Sequence, residues 1–161
     1  MAMGFLPIVH AVAAVFAIIE LGLTGYVVSV YQGWWGWDGY GSRSPDRVNF
    51  MLFNSIWSLL VLAYVGITPI YMTGWFHKLA ALVLNALTAL FWFAGSVALA
   101  VAVGAPHCAS SFCSSLQAAV AFGFFLWAIF MFLTVLDGLE SLRSRGHNVP
   151  HANKPSAYPG A

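Results

Sequence analysis

Residues 76–103 read FHKLAALVLNALTALFWFAGSVALAVAV, and after Lys78 no charged side chain interrupts them. An α-helix rises ~1.5 Å per residue, so roughly 20 apolar residues cross a ~30 Å hydrocarbon core. This stretch meets that length. Working outward, residues 5–31, 50–72 and 116–136 are apolar stretches of the same kind. The pattern predicts an all-α membrane protein, a bundle of four transmembrane helices.

Composition agrees. The chain has 161 residues, of which 61% are hydrophobic and 7% charged. A soluble domain carries about 25% charged residues, so these few charges cannot furnish a water-facing surface. The formal net charge of +1 gives no basic field for nucleic acid. Seven Trp suit two lipid–water interfaces. Residues 1–5 have no basic run, and the apolar stretch after them exceeds a signal-peptide core of roughly 7–15 residues. It is read as a retained span. No lipid-anchor motif is expected.

The connectors are short. Residues 32–49 hold Trp34, Trp35, Trp37 and Tyr40, read as interface anchors, with Asp38, Arg43, Asp46 and Arg47. Residues 104–115 hold Pro106, His107, Cys108 and Cys113. A transmembrane domain over 5–142 and a flexible tail over 143–161 are the expected division. Basic residues set orientation. With both termini inside, Lys78, Arg143, Arg145 and Lys154 lie on the inner side and Arg43 and Arg47 outside. That excess favours cytosolic termini and places Cys108 and Cys113 in an oxidising space, where they either close a small loop or stay two free thiols.

Glu20 is the sharpest single residue. It sits near the middle of the first span, where an ionised carboxylate is expensive and marks a functional site by default. Depth counting brings it near Thr88 and Trp92, with Asn85 one to two turns nearer the cytosol. These three are its candidate hydrogen-bond donors. Two readings stand: a proton-linked or lipid-headgroup site, and a carboxyl group that ties neighbouring helices together. His10 and His77 lack the matched depth that haem between helices would need. His10 is read as a polar packing residue.

Small residues recur every four positions: Ala13 with Ala17 and Gly25 with Ser29, then Ala94, Ala98 and Ala102, then Ala119 with Gly123. Such spacing lets membrane helices approach closely. It serves packing within one bundle or association between copies. Pro69 should kink or end the second helix. There is no catalytic Ser/His/Asp motif, His-Glu-x-x-His, Gly-rich phosphate loop or Cys-x-x-Cys pair. No enzyme activity, cofactor or metal site is expected.

Four local features, in order, carry a family resemblance. They are Leu21-Gly22-Leu23-Thr24-Gly25-Tyr26, Arg47-Val48-Asn49-Phe50, the run from Phe91 to Ala100, and Cys108…Cys113 followed by Gln117-Ala118-Ala119-Val120-Ala121-Phe122. The chain resembles the MARVEL-domain proteins, in the fungal-type branch related to the non-classical export protein 2 proteins of eisosomes. The resemblance implies an M-shaped four-helix fold with both termini cytosolic and a Cys108–Cys113 disulfide. It also implies a non-enzymatic role in organising plasma-membrane microdomains or membrane apposition. The implied partners are lipids of sterol- or sphingolipid-rich domains, and self-association or other membrane proteins. Family members often carry an acid where Asn85 stands, whereas here the acid is Glu20. A small proton-coupled transporter or channel using Glu20 is the alternative, and a subunit stabilising a larger complex is a third.

Overall fold

The computed structural model describes residues 5–35, 45–71, 78–104 and 110–146. Four helices account for nearly all of them: α1 (Phe5–Trp35), α2 (Asp46–Tyr71), α3 (Lys78–Val103) and α4 (Ser111–Gly146). Each contains a segment long and apolar enough to cross a membrane: Phe5–Tyr31, Asp46–Gly66, Leu79–Val103 and Ser111–Arg143. The four-span membrane architecture read from residues 76–103 outward is the architecture found.

Helix ends follow local chemistry more than hydropathy. α2 begins at Asp46, four residues before the apolar run at Phe50. The Pro45 carbonyl accepts from the Val48 and Asn49 N–H groups at 2.9 and 3.2 Å, and Asp46 places negative charge in the first turn. α2 runs to Tyr71 with Pro69 in its last turn, where the missing N–H removes one backbone hydrogen bond. α3 stops at Gly104, whose φ of 66° is the left-handed conformation that glycine adopts freely. Ser110 caps α4: its hydroxyl accepts from the Cys113 N–H at 3.3 Å. α4 then runs to Gly146, ten residues past the apolar stretch. The tail expected from residue 143 therefore begins inside a helix.

The helices form a ring. α1 packs on α2 and α4, and α3 packs on α2 and α4, so α1 and α3 lie across the diagonal from each other. The most extensive pairing is α3 with α4. Large apolar side chains such as Leu60, Leu90, Val101 and Phe125 point outward. Glu20, Thr24, Asn54, Ser55, Ser58, Asn85, Thr88 and Ser96 are buried beside Ala17, Met51, Trp92 and Phe130. A polar interior with an apolar exterior is the arrangement that lipid favours, because polar groups must find partners inside.

Two glycines fix the closest approaches. A Cβ on Gly95 would lie 2.7 Å from Met51 Sδ and 3.0 Å from Asn54 Nδ2. A Cβ on Gly123 would collide with Ser96 Oγ and meet Met51 Cε at 2.9 Å. Helices α2, α3 and α4 thus converge around Met51, with no room for a side chain at either glycine.

Candidate functional site

The buried polar side chains fall into two groups that behave differently. On α2 and α3 they bond across the interface. Trp92 Nε1 donates to Ser58 Oγ at 2.7 Å, and Trp57 Nε1 donates to Thr88 Oγ1 at 3.1 Å. Asn54 Nδ2 donates to the Phe91 carbonyl at 3.0 Å. The hydroxyls that receive these bonds donate onward to backbone carbonyls, Ser58 to Asn54 and Thr88 to Leu84, both at 2.7 Å. Asn85 Nδ2 bonds Asp137 Oδ2 at 2.7 Å and joins α3 to α4.

On α1 the bonds stay local. Thr24 donates to the Glu20 carbonyl at 2.7 Å, and Ser29 to the Tyr26 carbonyl at 2.7 Å. Nδ1 of His10 lies 2.9 Å from the Leu6 carbonyl oxygen. Glu20 is fully buried, and neither of its carboxyl oxygens has a hydrogen-bond partner. The three donors expected for it are committed elsewhere: Trp92 to Ser58, Thr88 to Leu84, and Asn85 to Asp137. The topology gives the reason. Depth counting matched α1 with α3, but those helices are diagonal in the ring, and α1 borders α2 and α4.

Among the described residues, the other unpartnered buried atoms are His10 Nε2, Asn54 Oδ1, Asn85 Oδ1 and Ser96 Oγ. The Glu20 oxygens, Asn54 Oδ1 and Asn85 Oδ1 make the interior rich in acceptors, while the Ser96 hydroxyl can donate or accept. Buried hydroxyl and N–H donors such as Thr24, Ser55, Ser58, Thr88 and Trp92 already have acceptors. Among the described residues no group of His, Cys, Asp and Glu is arranged to hold a metal ion.

The small-residue pairs also divide. Ala13, Ala17, Ala119 and Gly123 are buried and pack inside the bundle. Ala94 and Ala102 are exposed and Ala98 is half-buried, so the α3 stripe turns outward. Ser29 is exposed, and a Cβ on Gly25 would meet nothing within 4 Å. Gly25 and Ser29 therefore do not serve close packing within one bundle. Between α1 and α4 the contact is apolar and aromatic, with Phe16 against Phe122 and Tyr31 against Phe112, both at 5.3 Å between ring centroids.

Among the described residues, two cavities lie at opposite ends of the bundle. One of about 310 Å³ opens where α1 and α3 end and α2 and α4 begin, lined by Tyr31, Arg47, Leu99 and Phe112. The other, about 380 Å³, is an apolar groove between Phe5, Ile8 and Val12 of α1 and Ala128, Ile129 and Phe132 of α4. Cys113 lies in the first turn of α4, while Cys108 falls outside the described residues. So do His77, His107, Arg43, Lys154, Trp37 and Tyr40.

Several participants went unnoticed in the sequence: Asn54, Ser58, Gly95, Ser96 and Asp137. The signal was present for the first two, since Asn54-Ser55 and Ser58 are polar residues inside an apolar span. Asp137 gave no such signal because it lies just beyond the apolar stretch 116–136.

Comparison with known proteins points the same way. The family described as MARVEL, a membrane-associating domain, matches residues 4–136. The chain is similar to a Saccharomyces cerevisiae protein named non-classical export protein 2 homolog 1. The two are 26% identical over 153 residues, which cover 86% of this chain and 82% of that protein. No solved structure matches.

Proposed function

The chain belongs to the MARVEL family, and from that premise we propose that it is a non-enzymatic organiser of membrane microdomains that works through its lipid-facing helix surfaces. The observation that carries this reading is the outward turn of the Ala94, Ala98 and Ala102 stripe, while Ala13, Ala17, Ala119 and Gly123 serve the interior. Small residues facing lipid let a second membrane helix come close, and the apolar groove beside Phe5 and Phe132 suits an acyl chain. The S. cerevisiae relative, whose name speaks of non-classical export, supports extending the proposal to eisosome-like compartments of the plasma membrane. Four spans put both termini on one side. The excess of Lys78, Arg143, Arg145 and Lys154 there supports the cytosol. A Cys108–Cys113 clasp on the outer side belongs to the same proposal.

The unpartnered Glu20 favours a second reading, a proton-coupled carrier. Carriers usually build midplane sites from discontinuous helices. Here α1 and α3 run unbroken from Phe5 to Trp35 and from Lys78 to Val103, which favours the organiser.

Two measurements test the choice. Full-length protein with a fluorescent tag after residue 161 should gather in patches at the cell surface, and a uniform internal-membrane pattern would contradict that. Purified protein in liposomes should pass neither protons nor solute. Proton flux that Glu20→Gln stops would establish the carrier reading instead.

A further inference from the structure

Asp137 and Asn85 form a second polar site that the organiser reading does not use. The Asn85 side chain is buried, and its amide donates to Asp137 at 2.7 Å. That bond fixes the amide's orientation and leaves Oδ1 as a buried acceptor without a partner. Asp137 is half-buried, so the site can be reached from outside. An ionised carboxylate only accepts hydrogen bonds.

Glu140, one turn further along α4, lies within electrostatic reach of Asp137. Helices α3 and α4 thus bring acceptors to this end of the bundle. The matching ligand carries several hydrogen-bond donors, no acceptor and positive charge, which describes a primary ammonium group.

Depth suggests its source. The Phe5 and Phe132 rings meet at 6.3 Å, so the first residue of α1 shares a level with Phe132. Asp137 lies five residues beyond Phe132 towards the end that carries the chain termini, about 7.5 Å at 1.5 Å per residue. That is the level at which a span leaves the hydrocarbon core and meets lipid headgroups. We propose that Asp137 and the Asn85 carbonyl bind the primary ammonium of an aminophospholipid headgroup in the leaflet on the side of the termini.

Phosphatidylcholine provides the control, because its ammonium has the same charge and no N–H. Native mass spectrometry of the detergent-solubilised full chain would follow retention of phosphatidylethanolamine, phosphatidylcholine and soluble ethanolamine. The wild type should retain phosphatidylethanolamine at roughly tenfold lower concentration than phosphatidylcholine, a preference worth about one charge-assisted hydrogen bond. Asp137→Asn keeps an acceptor for the Asn85 amide and removes the charge. It should erase the preference while eluting as the wild type does. Equal retention of the two lipids by the wild type, which requires no variant to fold, overturns the proposal. So does a preference that survives Asp137→Asn. Displacement of phosphatidylethanolamine by ethanolamine at matched concentration overturns the lipid as the source.

Discussion

Helices α2 and α3 exchange side-chain hydrogen bonds across their interface, whereas the polar side chains His10, Thr24 and Ser29 of α1 bond only within α1. Around Met51, glycines on α3 and α4 complete a tightly fitted unit of three helices. α1 joins through Ala13, Ala17 and aromatic contacts, and it carries the unsatisfied carboxyl of Glu20. In lipid, where burial of apolar groups gives no drive for helices to associate, close packing and interhelical bonds hold a bundle together. The comparison identifies α2–α3–α4 as the unit tied by side-chain hydrogen bonds and close glycine contacts, and α1 as the helix held by packing against α2 and α4, the place where an unsatisfied group is tolerated.

Substitutions should break that contrast in a graded way. The largest effect is expected at the glycines. Gly123→Leu should cost about 3 kcal/mol or more, because its side chain runs into Ser96 and Met51. Unfolding followed by circular dichroism in detergent would measure it. Glu20→Leu is expected to raise stability by about 1–3 kcal/mol in the same assay, since it removes a buried group whose desolvation nothing offsets. A loss there would mean that α1 has a polar partner and the contrast fails. Trp92→Phe should lower stability by about 0.6–1.7 kcal/mol through loss of the bond to Ser58. The smallest effect belongs to Gly25→Ala, within about 0.5 kcal/mol, because a Cβ there meets nothing.

The span count was legible because hydropathy over 20 residues is a strong signal, and residues 76–103 alone sufficed to start the count. Helix ends were less so. α2 and α4 start where the Pro45 carbonyl and the Ser110 hydroxyl accept from first-turn N–H groups, and α4 continues past Leu136 because a helix needs no apolar residues once it leaves lipid. Burial of Glu20 followed from its position in the span. Its surroundings did not, since they depend on which helices are neighbours, and a single sequence does not order four spans around a ring. The small-residue repeats were visible as spacing, but the split between inward Ala119 and Gly123 and outward Ala94 and Ala102 needed the packed structure. Gly95 stood in plain view within Phe91–Ala100, and only the approach of Met51 and Asn54 explains why it is glycine.

Energy transfer between donor- and acceptor-labelled copies of the full chain in liposomes most directly tests whether the outer faces of the helices are the working surface. The wild type should show transfer above the level of random mixing. Ala94→Leu with Ala102→Leu should abolish it without unfolding the bundle, because both positions are exposed, and Glu20→Gln should leave it unchanged. Transfer at the random level in the wild type, or transfer that survives the double Leu variant and disappears in Glu20→Gln, would contradict the account.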